Sequence, residues 1–394
     1  MIKILDSTLR EGEQTPGVYF SPEIKLAIAQ FLDLVGVDII EAGNPAVDRE
    51  IANAITKISH AGIKAKIGAH SLCSIENVNK CLDCGIDFLG IVFSVSEKRL
   101  QLDYNLNLAA ALDKIVEVIS YARKQQDNLL IRYTPEDTVR SKIENVIEAA
   151  SAAVQAGANI ISIADTAGYT TPFLPNRSIS YYVKALKAEL AKRELYPQIE
   201  VHCHNDRGLA LANALDAYSV NADIIDVTVM GLGERTGIVD LAQLLINLID
   251  IGEEKTKWDL KYLKDLYELV SEHSHIAIPP HQPILGKNAF THYAGLHVKA
   301  VSKDEELYQS LNPEILGLKS SVALGTQSGR SAIKQAIQQI GRAELAENPD
   351  LVAKILQEIK EIAKRGTPID VEKELPAIVD RCALSELITN WIGK

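Results

Sequence analysis

Two histidines separated by one residue, His202 and His204, close a short apolar run at 198–203 (QIEVHC). In an extended strand, residues i and i+2 point to the same face, so both imidazoles project together. Joined by a carboxylate from another strand, they would make a three-ligand site with open positions for substrate oxygens. Two buried structural histidines are the alternative. It is the weaker one, because only nine of 394 residues are His and this pair sits at a strand end. The densest ionisable run, Asp6-Ser7-Thr8-Leu9-Arg10-Glu11-Gly12-Glu13-Gln14, follows the first apolar stretch. Glu11 is the natural carboxylate ligand, and Arg10 beside it suits stabilisation of a keto oxygen turning into an alkoxide. Asp6 and Glu13 are left open as structural acids, since local spacing does not assign the roles.

Other strand ends carry chemistry too: His70 after 65–70, Arg132-Tyr133-Thr134-Pro135-Glu136-Asp137 and Asp165-Thr166. Gly231-Leu232-Gly233-Glu234-Arg235-Thr236-Gly237 is a glycine-rich turn before a helix. It would accept a phosphate, for instance of CoA, or serve only as a tight turn. Cys81-Leu82-Asp83-Cys84 invites a redox or zinc reading. No second C-x-x-C or following His pair completes such a site, so two structural thiols are expected.

The elements that must position these residues are short β-rich runs alternating with helix-period segments. Eight candidate strands lie at 2–6, 38–42, 65–70, 87–93, 129–134, 159–164, 198–203 and 223–229. Each is nearly continuously apolar, as a strand buried on both faces of a parallel sheet should be. Gly36-Val37-Asp38, Gly85-Ile86-Asp87 and Gly157-Ala158-Asn159 recur before strands, a glycine ending each helix. Eight βα units in about 250 residues predict an α/β fold, a (β/α)8 TIM barrel, over 1–274. In that fold, active-site residues gather at the C-terminal strand ends. A doubly wound open sheet is the runner-up, but no G-x-G-x-x-G follows the first strand. Residues 275–394 read as a Pro-, Gly- and His-rich linker and a smaller, mainly α-helical region.

Composition sets the outer bounds. With 47% hydrophobic and 24% charged residues the chain is globular, and no run of eighteen apolar residues spans a membrane. A formal charge of −11 argues against nucleic acid as partner. Five scattered cysteines fit reduced thiols in a cytoplasmic protein, and the N-terminus lacks the parts of a signal peptide.

Taken together, the Asp6–Gln14, His202-Cys203-His204-Asn205-Asp206 and Gly231–Gly237 motifs resemble the homocitrate synthase and 2-isopropylmalate synthase family. The similarity runs from Ile4 to about Lys334. The resemblance implies a barrel metalloenzyme that condenses acetyl-CoA with a 2-oxo acid and hydrolyses the thioester. It implies one divalent ion (zinc, manganese or magnesium) on Glu11, His202 and His204, and acetyl-CoA as co-substrate. Arg10 would contact the oxo group, Thr166 the carboxylate beside it, and Glu136 would be catalytic. In Phe290-Thr291-His292-Tyr293-Ala294-Gly295-Leu296-His297 the resemblance marks His297 as catalytic, with Tyr308 eleven residues on. It further implies a homodimer in which this region completes the partner's site.

The choice of oxo acid divides the signals. His70, Arg132 and Thr134 match positions that hold the distal carboxylate of 2-oxoglutarate, and a guanidinium in a barrel mouth calls for an anion. Glu11, Ile238 and Gly295-Leu296-His297-Val298-Lys299-Ala300 also lean to homocitrate synthase. Gly325-Thr326-Gln327-Ser328-Gly329-Arg330 looks closer to the isopropylmalate side, and Glu41-Ala42-Gly43-Asn44-Pro45 fits neither group. Gly90 replaces the Asp of lysine-inhibited homocitrate synthases, which argues against lysine feedback. A branched or aromatic oxo acid, as for an isopropylmalate or benzylmalate synthase, is the alternative, with Arg132 then paired to a protein carboxylate. A lyase or aldolase on the same barrel is a further rival.

Overall fold

A computed structural model describes residues 2–252, 257–301, 303–366, 369, 371 and 373–392, and side chains as far as 385. Two compact units divide the chain between Ile278 and Pro279.

The first unit is a closed barrel of eight parallel strands in sequential order. These are β1 (Lys3–Asp6), β2 (Ile39–Glu41), β3 (Lys66–Leu72), β4 (Phe88–Val92), β5 (Leu130–Thr134), β6 (Ile160–Asp165), β7 (Gln198–Cys203) and β8 (Ile224–Val227). All eight expected strands are present. β3 runs two residues past His70, because β4 continues beside it and pairs Leu72 with Val92.

Eight helices follow the strands: α1 (Pro22–Val35), α2 (Arg49–Ser59), α3 (Ile75–Leu82), α4 (Leu108–Gln125), α5 (Ile143–Gln155), α6 (Ile179–Ala191), α7 (Ala210–Tyr218) and α8 (Leu241–Asp250). Their starts are written locally. Ser21, Asp48, Ser74, Asn107, Ser178 and Asp240 each accept a backbone N–H of the first turn. After α1, Gly36 turns the chain at φ 96, a left-handed conformation that favours glycine. A ninth helix, α9 (Leu263–Ser274), packs against α1.

Strand pleat decides what faces the barrel interior. Leu5, Ile39, Phe88, Ile160 and Ile224 are buried together as an apolar plug. Two residues further along β2, β4, β6 and β8 stand Glu41, Gly90, Ser162 and Asp226, and two past Leu130 on β5 stands Arg132; four of the five are polar, and all are buried. The period of two along a strand therefore lifts the interior from hydrocarbon to charge in one step.

The second unit holds helices α10 (Gly295–Val301), α11 (Arg330–Gln339), α12 (Pro349–Lys364) and α13 (Leu375–Ile392). A two-stranded parallel sheet pairs Thr291–His292 with Ser321–Val322. Its own core includes Ile333, Ile337, Leu351, Ile355 and Val379. Among the described residues, no helix is long and apolar enough to cross a membrane.

Candidate active site

A cavity of about 490 Å³ opens at the C-terminal end of the barrel strands. Arg10, Glu11, His70, Arg132, Thr134, Glu136, Thr166, His202 and His204 all line it. Nine residues picked from five separate segments of sequence thus share one cavity. The remaining two, His297 and Tyr308, belong to the second unit, where their rings stack at 4.0 Å.

On the β1, β7 and β8 side, Glu11, His202 and His204 offer ligand atoms that all lie within 4.8 Å of one another. The Nε2 atoms of the two imidazoles are 3.2 Å apart, and His204 Nε2 is 4.0 Å from Glu11 Oε1. Asp226 Oδ2 lies 2.6 Å from His202 Nδ1 and accepts its hydrogen bond, while Ser7 Oγ donates to the other carboxylate oxygen at 2.6 Å. A carboxylate on the far nitrogen orients the ring and raises its basicity, as metal-ligating histidines require. Burial depresses His202's pKa, but Asp226 outweighs it and holds the value above the usual range. Burial, followed by the charge of His202, brings His204 down to about 4, so it is a neutral imidazole near pH 7. Glu11 resists ionisation through burial, yet Arg10 and both imidazoles bring it down to about 2. The donor set is two nitrogens and one anionic oxygen, and His204 Nδ1 is buried without a partner. These residues fit a borderline divalent ion.

Arg10 joins this group to the opposite wall. It pairs with Glu11, with Glu41 Oε2 at 2.6 Å and with Asp226 Oδ2 at 3.8 Å. Arg132, also buried, reaches Glu41 Oε1 at 2.6 Å and Glu200 Oε1 at 2.9 Å. The anion that Arg132 was expected to need is thus supplied in part by the protein: two carboxylates already pair with it. Gly90 makes this reach possible, because a Cβ there would stand 2.6 Å from Arg132 Nη2 and 2.9 Å from Glu41 Oε1. Burial alone would raise Glu41, but Arg10 and Arg132 hold it well below the usual carboxylate range. Burial pushes Glu200 the other way, upwards, with Arg132 opposing. Even so, Arg132 Nε, His70 Nδ1 and Thr134 Oγ1 are all buried without a hydrogen-bond partner. His70 Nδ1 lies 3.6 Å from Glu41 Oε1, too long for such a bond.

Glu136 ends the β5 segment, its carboxylate 3.1 Å from Arg99 Nη2. Burial raises its pKa, with Arg99 pulling it back. Thr166 Oγ1 accepts the Asp137 N–H at 2.9 Å.

The glycine-rich turn spends its backbone on the protein itself. Gly237, at φ 75, passes so close to Gly231 that a Cβ would lie 1.7 Å from the Gly231 carbonyl oxygen. That fold aims the Glu234 N–H at Glu11 Oε1, 2.9 Å away, so the turn orients Glu11. Glu13 is likewise structural, paired with buried Lys25 at 2.5 Å and accepting the Phe20 N–H. Cys81 and Cys84 are buried free thiols donating to backbone carbonyls, and burial pushes Cys81 up to about 12.

Sequence reasoning passed over Glu41, Glu200 and Asp226. The available signal was a carboxylate inside each of three strands buried on both faces (IIE, QIEVHC and IIDV), where an acid persists only if paired.

Comparison with known proteins follows the same division of the chain. Residues 1–270 match the HMGL-like family, and residues 284–367 match the homocitrate synthase post-HMGL domain-like family. A homocitrate synthase of Pyrococcus abyssi is 40% identical over 358 residues, 91% of this chain and 94% of its own. A 2-isopropylmalate synthase of Methanocaldococcus jannaschii is 33% identical over 96% of this chain and 71% of its own. The HMG-CoA lyase of Bacillus subtilis superposes with a TM-score of 0.60 at 22% identity, covering 71% of this chain and 95% of its own, which establishes the barrel fold. With the barrel match, the following domain and identities of this size over almost the whole length, the chain belongs to the HMGL-like family, in its homocitrate synthase and 2-isopropylmalate synthase group.

Proposed function

We propose that this protein is a cytoplasmic, metal-dependent acyltransferase that condenses acetyl-CoA with 2-oxoglutarate to homocitrate and releases CoA. One observation carries the choice of oxo acid. His70, Arg132 and Thr134 each leave a buried polar atom without a partner, and all three line one cavity. Unsatisfied buried polar groups are costly, and a ligand carboxylate accepts from all three donor types at once. The five buried free thiols suit a reducing compartment.

Glu11, His202 and His204 would hold one divalent ion, which when bound supplies Lewis-acid polarisation of the oxo group. The rest falls to the chain's own residues. Thr166 binds the carboxylate next to the oxo group, and Arg10 meets the oxygen as it gains negative charge. A base among Glu136, His297 and Tyr308 takes a methyl proton of the acetyl group. The carbon freed by that loss bonds to the oxo carbon of the acid, whose oxygen takes up a proton. Water then cleaves the thioester, giving the new carboxylate and CoA thiol. His297 and Tyr308 are assigned to the barrel of a second subunit, making 275–394 the part that completes a composite site in a homodimer. The stacked His297–Tyr308 pair, with Tyr308 and neighbouring Leu296 exposed on their unit, supports that assignment.

The pairing of Arg132 with Glu41 and Glu200 favours a second reading, a branched or aromatic 2-oxo acid, since it neutralises the guanidinium internally. Thiol release from acetyl-CoA across a panel of 2-oxo acids, with and without added metal, separates the two. The proposal expects metal-dependent release with 2-oxoglutarate foremost. Rapid release with 2-oxoisovalerate or phenylpyruvate and hardly any with 2-oxoglutarate would replace it with the second reading. Mixing inactive His297→Ala and Glu11→Ala chains should restore part of the activity. No recovery despite confirmed subunit exchange would show that each chain completes its own site.

A further inference from the structure

The N-terminal end of the barrel holds another cavity, of about 450 Å³, that the condensation chemistry above does not use. Lys3, Lys66, Leu130 and Gln198 line it, and each is the first residue of an odd-numbered strand: β1, β3, β5 and β7. Strand pleat puts them on the interior face, two residues before Leu5, Gly68, Arg132 and Glu200. They are thus one four-residue layer of the barrel interior, the kind of layer that bulky branched residues normally fill. Here three of the four are polar, and two are lysines. Ile39 of the apolar plug also lines this cavity, which shares no lining residue with the catalytic one.

The positive charge of this layer is not answered by an acid. Lys3 Nζ donates to Gln198 Oε1 at 3.3 Å, and none of Lys3, Lys66 and Lys64, which also lines the cavity, forms an ion pair among the described residues. Asp33 and Asp38 line the same cavity but are engaged elsewhere. Asp33 Oδ1 accepts the Lys64 and Ala65 N–H groups at 2.9 and 2.8 Å. Asp38 Oδ2 accepts the Ile4 N–H at 2.8 Å and lies 3.8 Å from Lys257 Nζ. In a chain of net charge −11, three unpaired ammonium groups around one hollow are a local reversal of sign. They repel one another, and an anion between them turns that repulsion into attraction. Lysine acts as a point charge, which suits the near-spherical charge of a phosphate better than a planar carboxylate.

We propose that Lys3, Lys64 and Lys66 form a binding site for a phosphate-class anion at the N-terminal end of the barrel. The anion ties together the first residues of β1 and β3, next to Gln198 at the head of β7. The other ends of these three strands lead to Glu11, His70 and His202, so the site braces from below the strands that carry much of the catalytic cavity.

Calorimetric titration of the full chain with inorganic phosphate, at fixed ionic strength, tests this. Wild type should bind saturably, and Lys3→Gln/Lys66→Gln should weaken binding about tenfold or more, the loss expected for charge-assisted contacts. Lys3→Arg/Lys66→Arg keeps both charges and should retain most of the affinity. Phosphate at about a hundred times its dissociation constant should raise the wild-type melting temperature by about 5 °C, and that of the Gln variant by about half as much or less. Thiol release by the Gln variant should stay at the wild-type level, since neither lysine lines the catalytic cavity. Equal binding by wild type and the Gln variant places the ion elsewhere on the chain and overturns the site, as does no binding at all. Should the Gln variant melt early without phosphate, exposed Lys64 carries the test. Lys64→Gln should weaken phosphate about threefold at an unchanged melting temperature, and no weakening overturns the site. Titration with glycerol 3-phosphate separates the sources: tighter binding than inorganic phosphate assigns the site to phosphate esters, weaker binding to the free ion.

Discussion

The two walls of the cavity are built from the same kinds of residue and reach opposite states. On one, Glu11, His202 and His204 crowd three ligand atoms within 4.8 Å, and His204 keeps a buried nitrogen without a partner. On the other, Arg132 lies between Glu41 and Glu200, and most of its charge is cancelled within the protein. On the first wall, Asp226 and the Glu234 N–H hold His202 and Glu11 in place, an arrangement that fits a divalent ion. The second is a buried ion cluster that braces the barrel and leaves only isolated donor atoms to a ligand. Ionisable residues at strand ends therefore do not all mean the same thing. What separates them is whether the neighbouring strands deliver compensating charge.

The comparison is broken most severely at the ligand wall. His204→Ala should take bound metal from one ion per chain to nearly none and lower turnover by a thousandfold or more, about 4 kcal/mol of barrier. Elemental analysis beside the thiol-release assay measures both. A variant that keeps stoichiometric metal and near-normal turnover would move the site elsewhere.

On the braced wall the leading effect should be on stability. Arg132→Ala leaves Glu200 buried without its cation and Glu41 with Arg10 alone, and losing one member of a buried ion cluster costs about 3–5 kcal/mol. Urea unfolding reads this directly, and the same variant should weaken 2-oxoglutarate more than 2-oxoisovalerate. Unchanged stability would mean that the cluster is not the brace described above.

Gly90→Ala sharpens the point without removing any charge. Its Cβ would press on Arg132 Nη2 and Glu41 Oε1, so a loss of about 1–3 kcal/mol is expected, as for overpacking. The loss should shrink when Arg132 is already alanine; full additivity in that double-mutant cycle would contradict the contact.

The smallest effect is on pH. With Glu136 proposed as one of the candidate bases, it would act only when ionised, and burial raises its pKa, so activity resting on it should fall as pH drops through that raised value. Arg99 holds the value down from 3.1 Å away. Arg99→Gln should therefore shift the acidic limb of kcat/KM to higher pH. A limb that stays put or moves lower would assign it to another group.

Much of this architecture is legible before any coordinates. Eight apolar runs with helix-period segments between them specify eight βα units, and glycines such as Gly36 mark where helices stop. The pair His202 and His204 is readable because strand pleat is covalent geometry, so i and i+2 share a face wherever the strand lies. The partners of Arg132 are not readable this way. Glu41 lies 91 residues away in sequence and Glu200 lies 68 away. The role of the Gly231–Gly237 turn is hidden for the same reason, since its target, Glu11, is 223 residues before Glu234. Sequence alone determined which residues point inward along each strand, because that follows from alternation within one segment. Which of them meet was decided only in the closed barrel, where hydrogen-bond register between strands sets the layer each side chain occupies. Register is a property of the whole ring, so a carboxylate from β2 and another from β7 found the guanidinium of β5 only when all eight strands had closed.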